Sequence, residues 1–300
     1  MKYYLILFIK GMGFGIANLI PGVSGGTVAL ITRIYEELVS SLKSFDIKAL
    51  KLLISFDFRG LIKHTNLYFL LVVFTGAIVS IFCTANLFKF LFTNYPILLW
   101  SFFFGLIAVS IYSVGKRVEK WSSPNIIVLI IGCIMATSLL FISPATQNSN
   151  LFFIFICGII SVSGMLLPGL SGSFLLILMG NYELLLVTLV ELNYLLLAVF
   201  FIGVVVGLLG FSHILAWFFK HYRNKTLSLL TGFILGSLSL VWPWQECLKW
   251  FNPELQKKCI ESTRYLPEIT NQNTFIAFAL IISGIVFVRV IESFSYKETV

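Results

Sequence analysis

Charge is what this sequence has least of. Asp, Glu, Lys and Arg make up 11% of its 300 residues, where a soluble domain carries about 25%. So few charges cannot cover a water-facing surface of that size, which excludes a soluble globular domain and makes lipid the solvent for most of the chain. Metal-ligand spacings are missing as well, and neither a metal nor a cofactor is expected. The apolar run after Lys2 lacks a small-residue cleavage site, so it reads as retained membrane structure and not as a signal peptide. No strand precedes Gly11-x-Gly13-x-Gly15, which removes a dinucleotide reading and leaves close helix packing.

What is abundant is apolar sequence, 58% of residues with a mean hydropathy of +0.97. A spanning helix needs about 20 mostly apolar residues. Six runs qualify, at roughly 67–92, 97–114, 124–142, 195–219, 226–243 and 273–290. Two further stretches, 3–35 and 152–186, are too long for one crossing, and each is interrupted by Pro-Gly-x-Ser-Gly. Proline removes a backbone donor and ends the helix before it, so Pro21, Gly22, Pro168 and Gly169 mark helix breaks. A break at membrane depth survives only inside protein or beside a polar cavity. Both stretches are therefore expected to be re-entrant hairpins that enter and leave on one side.

The net charge of +8 does not point to nucleic acid, because the basic residues lie in short loops between apolar runs. With 3–35 re-entrant from the cytoplasm, loops 36–66, 115–123 and 220–225 are inside and hold the lysines and arginines. Loops 93–96, 143–151 and 181–194 then lie outside, and none contains Lys or Arg. Loop 244–272, also outside, balances four basic residues against four acidic ones. Both termini are cytoplasmic on this reading. Segment 40–66 suits an amphipathic helix on the cytoplasmic surface. Cys83, Cys133 and Cys157 read as inert residues of apolar runs. Cys247 and Cys259 share the outside loop, where a disulfide and two free thiols are both open.

The chain also repeats itself. A shift of 147 residues lays Pro21 on Pro168, Gly22 on Gly169, Ser24 on Ser171, Gly25 on Gly172, Tyr35 on Tyr182 and Glu36 on Glu183. A shift of 127 lays Gly76 on Gly203 and Gly105 on Gly232. The expected fold is an all-α integral membrane protein of two repeats, 1–145 and 146–300, each a broken re-entrant hairpin plus three spanning helices. Three crossings are an odd number, so the second repeat is inverted, the arrangement of secondary transporters.

Each break ends one half-helix and starts another, with Ser24 or Ser171 placed to cap it. A fresh helix start offers unpaired N–H groups and about half a positive charge, and glycines let an anion approach. Ser24, Gly25, Gly26, Thr27, Ser171, Gly172 and Ser173 are thus the candidate anion-binding residues. Glu36 and Glu183 either carry a coupling proton or anchor the hairpins at the interface. Arg33 and Lys10 either attract an anion or snorkel.

These residues bring out a resemblance. Asn18-Leu-Ile-Pro21-Gly-Val-Ser24-Gly-Gly-Thr27, continued to Arg33-Ile-Tyr35-Glu36, and Leu167-Pro168-Gly-Leu-Ser171-Gly-Ser173, continued to Tyr182-Glu183, resemble the signatures of the bacterial PopT family of polyprenyl-phosphate translocases. Asn18 stands where that pattern often has Asp, and Arg33 where it often has Gly. The resemblance implies transport of undecaprenyl phosphate in the bacterial cytoplasmic membrane, from the outer to the inner leaflet, for reuse in envelope synthesis. Its partners would be that lipid and the bilayer.

Two rivals use the same residues. An intramembrane serine protease would take Ser24 or Ser171 as nucleophile and His213 as base, though it needs no symmetric twin. A small-anion transporter would use the same helix starts without a lipid tail. A lipid phosphatase needs clustered Arg and His, whereas His64 and His221 belong to cytoplasmic loops.

Overall fold

The structure is a computed structural model that describes residues 2–20, 23–250, 259–267 and 272–296. Among the described residues it is an all-α membrane architecture with one small antiparallel strand pair. The first half runs α1 (Lys2–Leu19), α2 (Gly25–Ile31), α3 (Tyr35–Lys43), α4 (Ile47–Ile54), α5 (Phe58–His64), α6 (Leu67–Asn94), α7 (Pro96–Gly115) and α8 (Ser123–Ser138). The second runs α9 (Leu151–Leu166), α10 (Gly172–Leu178), α11 (Tyr182–Val190), α12 (Tyr194–Ser237), β1 (Gln245–Trp250), β2 (Cys259–Arg264) and α13 (Gln272–Tyr296).

Among the described residues, α6, α7, α8, α12 and α13 are long and apolar enough to cross a bilayer. The 44 residues of α12 would extend roughly 66 Å, over twice the hydrocarbon thickness. Tyr222 divides it, with non-helical φ −137° and ψ 45°, so α12 supplies two crossings. The six expected crossings are therefore present, but 220–225 is a kinked helix and not a loop. Nothing in Lys220-His221-Tyr222-Arg223-Asn224-Lys225 removes a backbone donor, so one non-helical residue is enough to turn the chain.

Both broken stretches return to the side they entered from. At the second, the Ala145 amide donates to the Leu178 carbonyl at 2.9 Å, and the Asn181 side chain bridges both backbone groups of Asn148. The chain entering α9 thus touches the chain leaving α10, and α11 then bends away by 113°. At the first, Tyr3 of α1 and Asn66 line one cavity, and Asn66 donates to Glu37 just beyond the hairpin. Three helices long enough to cross, α6, α7 and α8, lie between the two mouths in the chain. The mouth of the first hairpin shares its face with the end of α7, the Tyr222 kink and the end of α13, through Arg117 to the Ile31 carbonyl, Arg223 to Glu36 and Lys116 to Glu292.

Three local differences from expectation have physical causes. Segment 40–66 forms α4, α5 and the end of α3 in place of one amphipathic helix. Asp46 and Asp57 each accept backbone N–H bonds and start a new helix, and Phe56 between them has φ +57°. The Ala49 amide, with His64 and the Lys48 amide, holds the Asp46 carboxyl down at about 2. Loop 181–194 contains α11, whose residues include no proline or glycine. Loop 244–272 contains the antiparallel pair β1–β2.

Helices in lipid gain no hydrophobic drive toward one another, so close contact between backbones matters. A Cβ on Gly11 would strike the Val73 carbonyl, and one on Gly76 the Phe8 carbonyl, at the crossing of α1 and α6. At the crossing of α9 and α12, Gly158 faces Phe200 and Gly203 faces Phe155 in the same way. Gly105 and Gly284 join α7 to α13 through the carbonyls of Ile281 and Phe102, while Gly232 and Gly132 join α12 to α8 through Leu129 and Leu229. The buried core lies where these crossings meet the hairpins, around Ile20, Tyr35, Ile107, Leu230 and Ile234. Phe82, Phe141 and Ile202 face outward, as lipid-exposed residues do.

The same substitution at two glycines of α12 tests this packing. Gly232→Ala forces a methyl against a backbone carbonyl and should cost about 1–3 kcal/mol, whereas Gly210, with nothing within 4 Å, should gain up to about 1 kcal/mol as Ala. Thermal unfolding of the two variants in detergent would separate them, and equal midpoints would refute the close crossing.

Candidate functional site

The two breaks begin from one backbone plan. Ser24 has φ −109° and ψ 132°, Ser171 φ −110° and ψ 128°, and each is the residue before a seven-residue helix. Pro21 and Gly22 lie outside the described residues. Leu167 is extended (φ −74°, ψ 123°), as a residue before proline should be. Gly169 then takes φ +84° with the Phe233 carbonyl and the Ser237 hydroxyl against it, a conformation and a space that suit only glycine.

A helix that stops in the membrane leaves its last carbonyls without partners. The carbonyls of Leu166 and Leu167, at the end of α9, are met by the other half of the chain. The Ser24 hydroxyl donates to Leu167 at 3.0 Å and lies 3.3 Å from the Met165 carbonyl. The Tyr35 hydroxyl donates to Leu166 at 2.9 Å. In the other direction, the Gly169 amide donates to the Thr27 hydroxyl at 3.1 Å. Gly26 permits this closeness, since a Cβ there would lie 2.7 Å from the Leu166 carbonyl. Ser24, Thr27 and Tyr35 are each 1% exposed.

The N–H groups at the start of α2 are also engaged. Gly25 donates to the Asn18 side chain at 3.2 Å, Gly26 to the Ser24 hydroxyl at 3.1 Å and Thr27 to the Ser24 carbonyl at 3.0 Å. Asn18 fixes the corner by donating in turn to Phe14 at 3.0 Å. The second break is different. Ser171 makes no capping bond, and its hydroxyl pairs with that of Ser173 at 2.9 Å. Both serines are only half-buried, while Gly172 is buried against Ser161.

The remaining sequence-derived residues sit at the hairpin ends. Glu36 is exposed and accepts from Arg223 at 3.0 Å. Glu183 is exposed, with no ion pair among the described residues. Arg33 has φ +63°, and the residue 147 places on, Gly180, has φ +72°. Arg33 therefore holds a left-handed turn whose counterpart is glycine, at a backbone cost of about 1–2 kcal/mol. Cys247 and Cys259 lie on β1 and β2, with Cys247 opposite Ser262 and Cys259 opposite Trp250. Their side chains are outside the described residues.

Tyr35 is the residue that sequence reasoning passed over. It entered only as a marker of the repeat, although its recurrence as Tyr182 in the same place was the available signal. The nucleophile reading finds little here. Ser24 is bonded to backbone carbonyls, His213 bonds the Leu209 carbonyl of its own helix at 2.8 Å, and among the described residues no histidine bonds Ser24 or Ser171.

Comparison with known proteins gives three likenesses. A family model described as undecaprenyl phosphate translocase-like matches residues 14–259. A Vibrio cholerae protein named polyprenyl-phosphate transporter is 40% identical over 247 residues, 82% of this chain and 80% of its own. A Staphylococcus aureus protein of the same name is 29% identical over 261 residues, 81% of this chain and 87% of its own. No solved structure matches the chain.

Tyr35→Phe would leave the buried Leu166 carbonyl without its donor, at a cost of about 1–3 kcal/mol. Ser173→Ala removes a bond that is only half-buried and should cost less. Thermal unfolding of both variants tests the order, and a Tyr35→Phe protein as stable as wild type would contradict the bond.

Proposed function

The chain belongs to the undecaprenyl phosphate translocase-like family, and from that premise we propose that it carries a polyprenyl phosphate, undecaprenyl phosphate by its likeness, across the bacterial inner membrane. The phosphate is held at the paired breaks by Ser24, Gly25, Gly26, Thr27, Ser171, Gly172 and Ser173, while the prenyl tail stays in lipid. An isolated charge in a low-dielectric medium costs tens of kcal/mol, so a polar station at membrane depth is what such a headgroup needs.

The observation that carries this reading is the seal between the breaks. Hydroxyls of Ser24 and Tyr35 hold backbone carbonyls, and the Thr27 hydroxyl holds the Gly169 amide. Neutral hydrogen bonds of this kind contribute about 0.5–1.5 kcal/mol each, and bonds to an ionised acceptor are roughly twice as strong. A phosphate dianion therefore outcompetes the carbonyls for the same donors. Binding headgroup and parting the hairpins become one event, and release lets the seal re-form. Ser171 and Ser173, bonded only to each other among the described residues, are the donors nearest to free and the first to meet the headgroup.

Alternating access follows if 1–145 and 146–300 are inverted copies. In support, the glycine contacts of α1 with α6 fall on those of α9 with α12 when shifted by 147 and 127 residues, and three membrane-length helices, an odd number, separate the two hairpins. The basic loops assign the first mouth to the cytoplasm, together with both termini, and the direction is from the outer to the cytoplasmic leaflet.

Reconstitution into liposomes containing undecaprenyl phosphate, with an impermeant phosphate-binding probe outside, tests the function. Wild type should equilibrate the lipid quickly, and Ser24→Ala/Ser171→Ala should slow it at least about tenfold for the charge-assisted bonds lost. An unchanged rate in the double variant would place the phosphate elsewhere. Flux of inorganic phosphate without lipid would favour a small-anion transporter. Coupling to protons through Glu36 and Glu183, motivated by their matched places at the hairpin ends, predicts that Gln at either position flattens the pH profile of transport. Unchanged profiles in both variants would remove that role.

A further inference from the structure

On the face of the first hairpin mouth, carboxylates are matched with cations. Glu36 meets Arg223 at 3.0 Å, and Glu119 lies 3.9 Å from the same guanidinium. Glu292 takes Lys116 at 3.2 Å and Arg289 at 3.8 Å. Arg117 stands outside this matching. It donates to the Ile31 carbonyl at 3.2 Å, forms no ion pair among the described residues, and buries its Nε without an acceptor. Burial weakens its hold on its proton, and the positive charge of Arg33 weakens it further, against the pull of Glu292 and Glu36.

Two more donors without acceptors lie in the helices that flank it. The hydroxyls of Ser113 on α7, one turn before Arg117, and of Ser228 on α12 are fully buried. The end of α7 meets that part of α12 directly, where Thr231 lies against Gly115. Buried donors are nearly always satisfied in native proteins, and a guanidinium whose Nε is buried without an acceptor, with no carboxylate in ion-pair reach among the described residues, can take a phosphate oxygen there.

Ile31 is the last residue of α2, and Ser24 caps its first. Seven residues span roughly 10 Å. We infer that Arg117, with Arg33 beside it, is a second station for a phosphate monoester, receiving the headgroup about 10 Å from the breaks on its way to the basic face. The inference rests on the proposed movement of a polyprenyl phosphate. At this station, as at the breaks, a backbone carbonyl holds the donor until a phosphate oxygen replaces it. The guanidinium fork matches two phosphate oxygens at once, which a lysine does not.

The test is binding of farnesyl phosphate to the detergent-solubilised full chain, with inorganic phosphate as competitor. Arg117→Gln should weaken binding about tenfold, with Arg117→Lys between it and wild type. A structural role would instead lower the melting temperature of Arg117→Gln and leave the affinity of the folded protein unchanged. The inference expects the reverse, because the substitution removes a half-buried charge that forms no ion pair among the described residues. Competition by inorganic phosphate at similar concentration would support a site that reads the phosphate alone; competition only by prenyl phosphates would support one that also senses the tail. If Arg117→Gln binds like wild type while Ser24→Ala/Ser171→Ala binds weakly, the second station is overturned and the translocase reading stands. If wild type binds no farnesyl phosphate, both fall.

Discussion

Inside a bilayer there is no water to bond a stray carbonyl or amide, and a helix that breaks there must find partners in protein. The chain breaks twice at depth, and the second break is completed by the first. Ser24 and Tyr35 bond the last carbonyls of α9, Thr27 bonds the Gly169 amide, and Asn18 holds the start of α2 in place. Remove those side-chain partners and the second hairpin is left with bare polar backbone in an apolar core. The halves are joined at their weakest points, and α2, α9 and the core around Ile234 are arranged about that junction.

On the proposed function, the seal lets one set of residues serve both folding and transport. A bond that held the hairpins permanently would leave no route for a headgroup, and donors left wholly free would be costly in the resting state. Neutral bonds lie between these limits, because a charged acceptor displaces them. The arrangement is unequal: one helix start is bonded and buried, while the other keeps a half-buried serine pair. On the proposed function, this inequality leaves the second break as the one that first meets a headgroup.

Around this junction the helices approach through glycine, because in lipid only contact and hydrogen bonding draw them together. Glycine at Gly76, Gly105 and Gly232 lets carbonyls come nearly to the facing backbone. The outer surfaces of the same helices carry Phe82, Ile202 and Phe141 toward lipid. Close glycine crossings thus surround two short, broken hairpins.

Much of this was legible in the residues. Hydropathy marks six crossings, and proline with glycine marks two breaks, because both signals act over a single helix turn or span. The sequence repeat was legible too, and with it Ser24 as a cap, whereas Ser171 takes the same position without the capping bond expected of it. Four features were not legible. Segment 220–225 continues as helix because nothing forbids it, α11 forms in a stretch that the expected topology gave to an outside loop, the pair β1–β2 forms in loop 244–272, and 40–66 divides into several helices at its aspartates. The role of Tyr35 and the isolation of Arg117 depend on partners 131 and 86 residues away in the chain. Sequence by itself determined a membrane protein with two matched interruptions, since solvent preference and backbone chemistry are local. Tertiary structure alone decided that Ser24 seals the other hairpin while Ser171 does not, because two caps with the same dihedral angles differ only in which backbone the fold brings within 3 Å of their hydroxyls.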